Sequence, residues 1–170
     1  MQEENTLLPS GNCNCEPSER TRLVYKKAYE YEKQFEGCSQ PLLLAIFDVL
    51  GLENDMMLKA VSGFAGGISR MKSVCGALLT GILAIGLKYG REPKELDRFD
   101  KLLNSYPPVQ SLVKWFEAEY GSSNCYQITG IDLSDTERRD VWFASGGAEK
   151  CNILIAKTAA KTLELMEQND

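Results

Sequence analysis

The sequence predicts an all-α fold, a bundle of six to eight helices around a central apolar helix at about residues 72–89. Three observations lead to this prediction. Apolar residues recur at helical spacing along most of the chain. Glycines, prolines and capping residues interrupt that pattern where helices are expected to end. No strand-like alternation longer than about four residues occurs.

The length and composition predict one domain. A chain of 170 residues with 44% apolar and 25% charged residues can bury a core of its own. We expect a flexible N-terminal tail at residues 1–17 and a single helical, cysteine-containing domain at residues 18–170. The first residues are acidic and polar and carry no secretory signal pattern, so we expect a cytoplasmic protein.

Charge and the missing histidine exclude several classes of function. The formal net charge is −5, which argues against nucleic acid or an anionic membrane surface as a partner. The chain has no histidine, which excludes Ser-His-Asp and Cys-His nucleophiles and zinc sites that use histidine. The longest apolar run, residues 74–87, is too short to cross a bilayer and predicts a buried core helix.

The first half of the chain predicts three helices before the central one. They begin near Ser18, Ser39 and Asn54 and end near Gly37, Gly51 and Val61. Ser39 is expected to cap the second helix. The central helix follows and closes at Gly90. Gly76, Thr80 and Ala84 share one of its faces, and such small residues allow a neighbouring helix to come close.

The second half predicts four more helices. The segment 95–106 reads as a helix that Pro107 and Pro108 stop. A further helix restarts at about residue 109 and ends at Gly121. A short helix is expected at about 135–143, and the last one at about 148–166.

Four of the six cysteines lie in the helical body: Cys38, Cys75, Cys125 and Cys151. Their intervals of 37, 50 and 26 residues are unlike the tight pairs of zinc ribbons or bacterial ferredoxins. Each is predicted at, or just before, the first turns of a helix. Free N–H groups and the helix dipole favour thiolate there, which redox chemistry and metal ligation both require. We therefore expect these sulfurs to converge in one place.

Two other interpretations of the cysteines remain open. Buried free cysteine often acts as a small hydrophobic residue, and Cys75 within VCGALL fits that description. Cys13 and Cys15 form a C-x-C pair in the tail, either as incidental thiols or as a pair that resolves an exposed site.

The glycines around Cys75 are candidate cofactor-binding positions: Gly66, Gly67 and Gly76. No strand precedes them and no Gly-Lys-Ser/Thr follows, so they do not form a phosphate-binding loop. A tight turn or close packing beside a cysteine site is the simpler interpretation.

The run GFAGGISRMKSVCGALLTGILAIGLKYG at residues 63–90 resembles the central signature of the redox-active proteins named C-GCAxxG-C-C after their four cysteines. The likeness extends to Cys38, to Cys125 at the end of YGSSNC and to Cys151, and covers about residues 20–168. One position departs from the pattern: Gly76 follows Cys75, whereas the family motif has its glycine before the cysteine.

The resemblance implies a redox role for the four cysteines. They would either bind an iron–sulfur cluster, with [2Fe–2S] favoured, and transfer electrons, or form reversible disulfides. A related domain accompanies a haem segment in split-Soret cytochrome c, but this chain has no C-x-x-C-H, so we expect no haem. The implied partner is an electron-transfer or thiol-exchanging protein, and a homodimer stays open. If the chain is an enzyme, it is an oxidoreductase. The alternative is a non-enzymatic binding module with structural zinc or inert cysteines.

Overall fold

The computed structural model describes residues 17–168, and this part of the chain is all-helical. Seven of its helices have six or more residues, so the predicted fold class is confirmed. The α-helices are α1 (Glu19–Phe35), α2 (Ser39–Leu50), α3 (Asp55–Ala60), α4 (Ala65–Ile68), α5 (Gly76–Tyr89), α6 (Phe99–Leu102), α7 (Tyr106–Tyr120), α8 (Cys125–Thr129), α9 (Thr136–Trp142) and α10 (Ala148–Glu167). Residues 1–16 of the predicted tail, with Cys13 and Cys15, lie outside the described residues.

The helix α1 runs antiparallel to α10. Arg20 in the first turn of α1 forms an ion pair with Glu167 at the end of α10, at 3.1 Å. Tyr29, two turns before the end of α1, donates a hydrogen bond to Glu149 in the first turn of α10 at 2.9 Å. Since only three residues link α1 to α2, these two helices are also antiparallel. The N-terminal end of α2 therefore lies near that of α10.

The central helix α5 runs parallel to α10. Lys88 and Tyr89, at the end of α5, both donate hydrogen bonds to the carbonyl oxygen of Met166 near the end of α10. The helices α2, α5 and α10 thus begin at the same end of the bundle. Parallel neighbours aligned in this way bring three helix N-termini together.

Small residues on α5 allow its neighbours to pack closely, and Gly81 shows this most clearly. A Cβ atom on Gly81 would lie 2.6 Å from Oγ1 of Thr162 on α10 and 2.9 Å from Leu112 on α7. The buried hydroxyl of Thr162 donates to the carbonyl of Thr158 at 2.7 Å, which satisfies it within its own helix. Among the described residues, no helix has the length and apolar character needed to cross a membrane.

The prediction that the central helix begins near residue 72 is wrong, since α5 begins at Gly76. Val74 instead pairs with Asn124 in an isolated antiparallel bridge. Just before it, Ile68, Ser69, Arg70 and Lys72 all have positive φ. Left-handed backbone cannot continue a right-handed helix, so this segment turns the chain sharply before α5.

Two other boundaries differ from the prediction. Pro107 and Pro108 were expected to stop a helix, but they lie in the first turn of α7, where a missing N–H costs no helical hydrogen bond. The helix expected at 95–106 is divided into 3₁₀ turns and the short α6. Ser39 is the first residue of α2 and does not cap it; the N-cap is Cys38.

Candidate thiol site

Four cysteines of the described chain lie at helix N-termini. Cys38 is the N-cap of α2 and Cys75 is the N-cap of α5. Cys125 is the first residue of α8, and Cys151 is the fourth residue of α10. The structure therefore places all four where the helix pattern predicts them, and all are free thiols. We call the end of the bundle that holds these four residues the thiol end.

A short antiparallel bridge joins the segments of Cys75 and Cys125. The N–H of Cys75 donates to the carbonyl of Ser123 at 2.9 Å, and the N–H of Cys125 donates to the carbonyl of Ser73 at 2.8 Å. In this pattern the two cysteines are diagonal neighbours on one face of the bridge. Such neighbours have Cα atoms about 7–8 Å apart, slightly more than the roughly 4.4–6.8 Å that a disulfide spans. A bond between these two thiols would need a small backbone movement.

Cys38 lies against the first turn of α5. A Cβ atom on Gly76 would lie 2.7 Å from Sγ of Cys38 and 2.6 Å from the carbonyl oxygen of Phe64. The backbone N–H of Gly66 faces the same sulfur and favours its thiolate. Only glycine at position 76 leaves room for this sulfur beside Cys75.

Gly67 makes room for Cys125 in the same way. Its φ is +75°, and a Cβ atom there would lie 2.6 Å from Cβ of Cys125 and 3.0 Å from the carbonyl oxygen of Ser73. A side chain at this position would be strained and would collide with the bridge. The three glycines predicted to bind a cofactor thus lie directly beside cysteines, and their packing role is visible. Cofactor binding by them stays a prediction.

Cys75 is the common neighbour of the other three thiols. A charge on Cys75 raises the pKa of Cys38, of Cys125 and of Cys151, and in each case it is the largest effect from another charged group. Charges interact in this way only when they are close together in a poorly solvated environment. A charge on Cys125 also raises the pKa of Cys151, and a charge on Cys151 raises the pKa of Cys38. The bridge places Cys125 beside Cys75, the contact with Gly76 places Cys38 there, and Cys151 lies within electrostatic reach of both Cys75 and Cys125.

The N–H groups at the start of α5 favour the Cys75 thiolate as expected, but burial outweighs this effect in the reduced protein. Burial raises the pKa of Cys38 well above its ordinary value, and it raises the pKa of Cys125 and of Cys151 to about 12. Burial also raises the pKa of Cys75, although the N–H groups of Leu78 and Ala77 at the start of α5 partly offset it. The free energy cost of removing a thiolate from water is larger here than the stabilisation that the helix N-termini provide.

Glu32, near the end of α1, belongs to the site and was missed in the sequence. Its Oε1 accepts a hydrogen bond from the N–H of Gly37 at 3.1 Å. Its Oε2 is buried and has no hydrogen-bond partner among the described residues. Burial raises the pKa of Glu32 to about 7. Its negative charge also raises the pKa of three of the cysteines: Cys38, Cys75 and Cys151.

The apolar face of α1 contained a sequence signal for Glu32. Val24 and Ala28 form the buried stripe of α1, and Glu32 follows four residues later on the same face. A carboxylate on the apolar face of a helix is costly unless it is paired or has a function. The position of Glu32 at the end of this buried face was therefore a sign that its carboxyl is shielded from water.

Two tyrosine hydroxyls near the thiol end are also buried without a partner among the described residues, those of Tyr25 and Tyr120. Burial raises the pKa of Tyr120 far above its usual range, and nearby Glu119, Cys75 and Tyr25 raise it further. Both phenols therefore stay protonated and can donate a hydrogen bond. Buried donors without acceptors are rare in folded proteins, so this pair together with Glu32 marks the surroundings of Cys75 as unusual.

A cavity of about 400 Å³ reaches the site from the surface. Its walls come from α7, α8, α9 and α10. Cys151 and Tyr120 lie on its wall, together with Trp142, Ile128 and Leu154. Cys151 thus connects the cavity with the thiols around Cys75.

The same four thiols are the donors that the predicted iron–sulfur or zinc site would use. Within residues 17–168, no group of three or more cysteine, aspartate or glutamate side chains is arranged so that it could hold a metal ion. Thiol sulfur is nevertheless a suitable ligand for iron and zinc. The metal site stays a prediction.

The family model described as "Putative redox-active protein (C_GCAxxG_C_C)" matches residues 36–165, which include all four cysteines of the thiol end. A protein of Archaeoglobus fulgidus described as "Uncharacterized protein" is 24% identical over 155 residues, covering 88% of this chain and 97% of that protein. No solved structure matches the chain.

Proposed function

The chain belongs to the C_GCAxxG_C_C family of redox-active proteins, and from this premise we propose that it works by thiol–disulfide exchange centred on Cys75. In the reduced state the four thiols of the thiol end are free. In the oxidised state Cys75 forms a disulfide with one of its thiol neighbours. The partner that is reduced in return is a disulfide, either in another protein or in a small molecule.

One observation carries the proposal: Cys75 lies between two other thiols, because the bridge joins it to the Cys125 segment and Sγ of Cys38 packs against Gly76. Of the other charged groups, Cys75 also has the largest effect on the pKa of Cys38, Cys125 and Cys151. A central thiol with several neighbours can attack a disulfide that contains one of them, and the disulfide that results can then be attacked by another neighbour. Its position as the N-cap of α5 also supports this role, because the N–H groups of Ala77 and Leu78 favour the Cys75 thiolate.

The electrons and protons balance without a metal. Two cysteine thiols lose two electrons and two protons when their sulfurs form a bond. The acceptor disulfide breaks its S–S bond and gains the same two electrons and two protons, which yields two thiols. Reduction of the protein is the reverse exchange with a dithiol.

Glu32 provides a base for this exchange. The attacking group must be a thiolate, but burial keeps the cysteines protonated. A carboxyl group with a pKa of about 7 can accept a thiol proton near neutral pH and return it to the leaving thiolate. The buried hydroxyls of Tyr25 and Tyr120 can stabilise the negative sulfur by donating hydrogen bonds.

The test compares serine variants of single cysteines. All are made with Cys13→Ser and Cys15→Ser, so that only the four thiols of the thiol end remain. Each reduced protein is equilibrated with glutathione buffers of rising oxidised fraction, and free thiols are then counted. The parent should lose two or more thiols reversibly. Cys75→Ser should lose the reversible pair, whereas Cys38→Ser and Cys125→Ser should each keep one. Equal behaviour of all variants would overturn the assignment to Cys75.

Metal analysis of the anaerobically purified parent separates the remaining alternatives. A brown protein that contains iron, and whose colour disappears in Cys75→Ser, would replace thiol exchange by the predicted iron–sulfur site. Stoichiometric zinc, or thiols that never respond to the glutathione buffer, would favour the non-enzymatic binding module. We expect a colourless protein with titratable thiols.

A further inference from the structure

We infer that the cavity beside Cys151 binds a low-molecular-weight disulfide that carries an aromatic group and a carboxylate, and that Cys151 is the thiol that attacks it. This inference rests on the proposed function, because Cys75 must then accept the disulfide from Cys151. It adds the entry thiol and the chemical class of the substrate.

The size and the walls of the cavity fit a small, partly flat molecule. About 400 Å³ lies within the range of about 300–1,000 Å³ typical of small-molecule sites and is too small for a protein partner. Trp142, Ile128, Ile153 and Leu154 supply an apolar and aromatic lining. Such a lining favours an aromatic ring over a flexible polar chain.

The charge of the rim favours an anion. Two charged residues line the cavity, Glu119 and Lys150. Glu119 forms an ion pair with Lys157 at 2.5 Å, which offsets its charge. Lys150 is exposed and forms no ion pair with a described residue. A carboxylate on the substrate could pair with Lys150 at this rim, although the chain as a whole is acidic.

Tyr120 adds a second aromatic ring to the lining of the cavity, beside that of Trp142 in the same wall. Its hydroxyl is buried behind the wall and lacks a hydrogen-bond partner among the described residues. A charge on Cys75 raises the pKa of this hydroxyl, so the phenol lies near the central thiol. The second ring supports an aromatic group on the substrate.

The reaction has two steps. The sulfur of Cys151 attacks one sulfur of the substrate disulfide, so that a Cys151–substrate disulfide forms and the first substrate thiol leaves. The sulfur of Cys75 then attacks Cys151, which forms the Cys75–Cys151 disulfide and releases the second substrate thiol. The two cysteines are oxidised, the substrate disulfide is reduced, and the two cysteine protons end on the two released thiols.

The experiment measures rates with three probe disulfides on full-length protein with Cys13→Ser and Cys15→Ser. The probes are 5,5′-dithiobis(2-nitrobenzoic acid), which is aromatic and anionic, 4,4′-dithiodipyridine, which is aromatic and neutral, and cystamine, which is cationic and has no ring. We expect a saturable rate with the anionic probe and the first label on Cys151 by mass spectrometry. Lys150→Gln should slow the anionic probe about threefold at low concentration and leave the neutral probe unchanged. Lys114→Gln, the matched control outside the cavity, should change neither.

The outcomes separate this inference from the proposed function. Ile153→Trp should fill the cavity and slow both aromatic probes; circular dichroism checks that it is folded. In Cys75→Ser the first step should persist and the second thiol should not be released. If that second release fails in the parent as well, the proposed function is wrong while the cavity stands. Unsaturable rates, a first label elsewhere than Cys151, or equal effects of the two lysine variants would overturn the cavity assignment.

Discussion

The two ends of α5 differ in how well their polar groups are satisfied. At the C-terminal end, Lys88 and Tyr89 donate hydrogen bonds to the carbonyl of Met166 at 2.6 and 2.8 Å. At the N-terminal end, the thiol end, Oε2 of Glu32 and the hydroxyls of Tyr25 and Tyr120 lack partners among the described residues. At the C-terminal end, Oε1 of Glu167 on the neighbouring α10 also lacks a hydrogen bond, but it forms an ion pair with Arg20 at 3.1 Å. The N-terminal end keeps buried polar groups that stability alone would not select.

The backbone shows the same contrast. Within residues 17–168, every non-glycine residue with positive φ lies just before α2 or α5, both of which begin at the thiol end. These residues are Glu36, Cys38, Ile68, Ser69, Arg70 and Lys72. Each such conformation carries a cost of about 1 kcal/mol or more, and such residues cluster at functional sites in proteins. Strained backbone conformations and buried polar groups without partners are thus concentrated at the thiol end.

The largest expected effect on stability comes from the C-terminal half of α5. Ile85 is fully buried in the second half of α5, and Ile85→Ala should lower the free energy of unfolding by about 2–5 kcal/mol. Leu87→Ala, at a side chain that is 48% exposed, is the control and should lower it by less than about 1 kcal/mol. Urea denaturation measures both. The thiol count of folded Ile85→Ala should match that of the parent; altered thiol reactivity would show that the two ends are not separate.

The second effect concerns Glu32 and depends on pH. Its carboxyl has a pKa of about 7 in the folded chain and 4.5 as a reference, so between these values the folded state binds more protons than the unfolded state. The free energy of unfolding therefore includes a contribution from Glu32 that is fully present below pH 4.5 and is lost as the pH rises through 7. The whole loss is roughly 3 kcal/mol. Glu32→Gln should remove this loss and be more stable than the parent at pH 8.

The control for this prediction is Glu30→Gln, an exposed position on the same helix. Urea denaturation from pH 5 to pH 8 should give a parent-like pH slope in Glu30→Gln and a flatter slope in Glu32→Gln. Glutathione exchange should also slow in Glu32→Gln at pH 7, because the proposed base is gone. Identical slopes in the two variants would remove Glu32 from the account.

A smaller effect distinguishes two glycines of α5. A Cβ atom on Gly76 would collide with Sγ of Cys38 and with the carbonyl of Phe64, whereas one on Gly86 would meet nothing within 4 Å. Gly76→Ala should lower stability by about 1–3 kcal/mol and change the reactivity of Cys38. Gly86→Ala should raise stability by up to about 1 kcal/mol, since alanine favours a helix. Thermal unfolding and single-site thiol labelling check the pair, and equal shifts would contradict the packing of Cys38 on α5.

Much of the fold could be predicted because it depends on local patterns. Helical spacing and capping residues placed α1, α2 and α10 within a few residues of their ends. The start of α5 could not be found in this way, since the bridge between Val74 and Asn124 joins segments 50 residues apart. The position of Pro107 and Pro108 inside α7 was missed because proline can either end a helix or begin one.

The site was predicted in part. Helix starts located the four cysteines, and the glycines beside them followed from the same segment. Their protonation state could not be predicted, because the sequence gives the helix dipole but not the depth of burial. The sequence could place Glu32 on the buried face of α1, but it could not show that its carboxyl lies near the thiols, because that requires the end of α1 and the starts of α2 and α10 to come together.

Disulfide mapping tests the central role of Cys75 most directly. The reduced protein with Cys13→Ser and Cys15→Ser is oxidised in a glutathione buffer, free thiols are blocked, and peptides are identified by mass spectrometry without reduction. The predicted result is an intramolecular disulfide that contains Cys75, with Cys151 as its partner in the largest fraction. A disulfide that joins two other cysteines while Cys75 stays free, or four thiols that all remain reduced, would contradict the account.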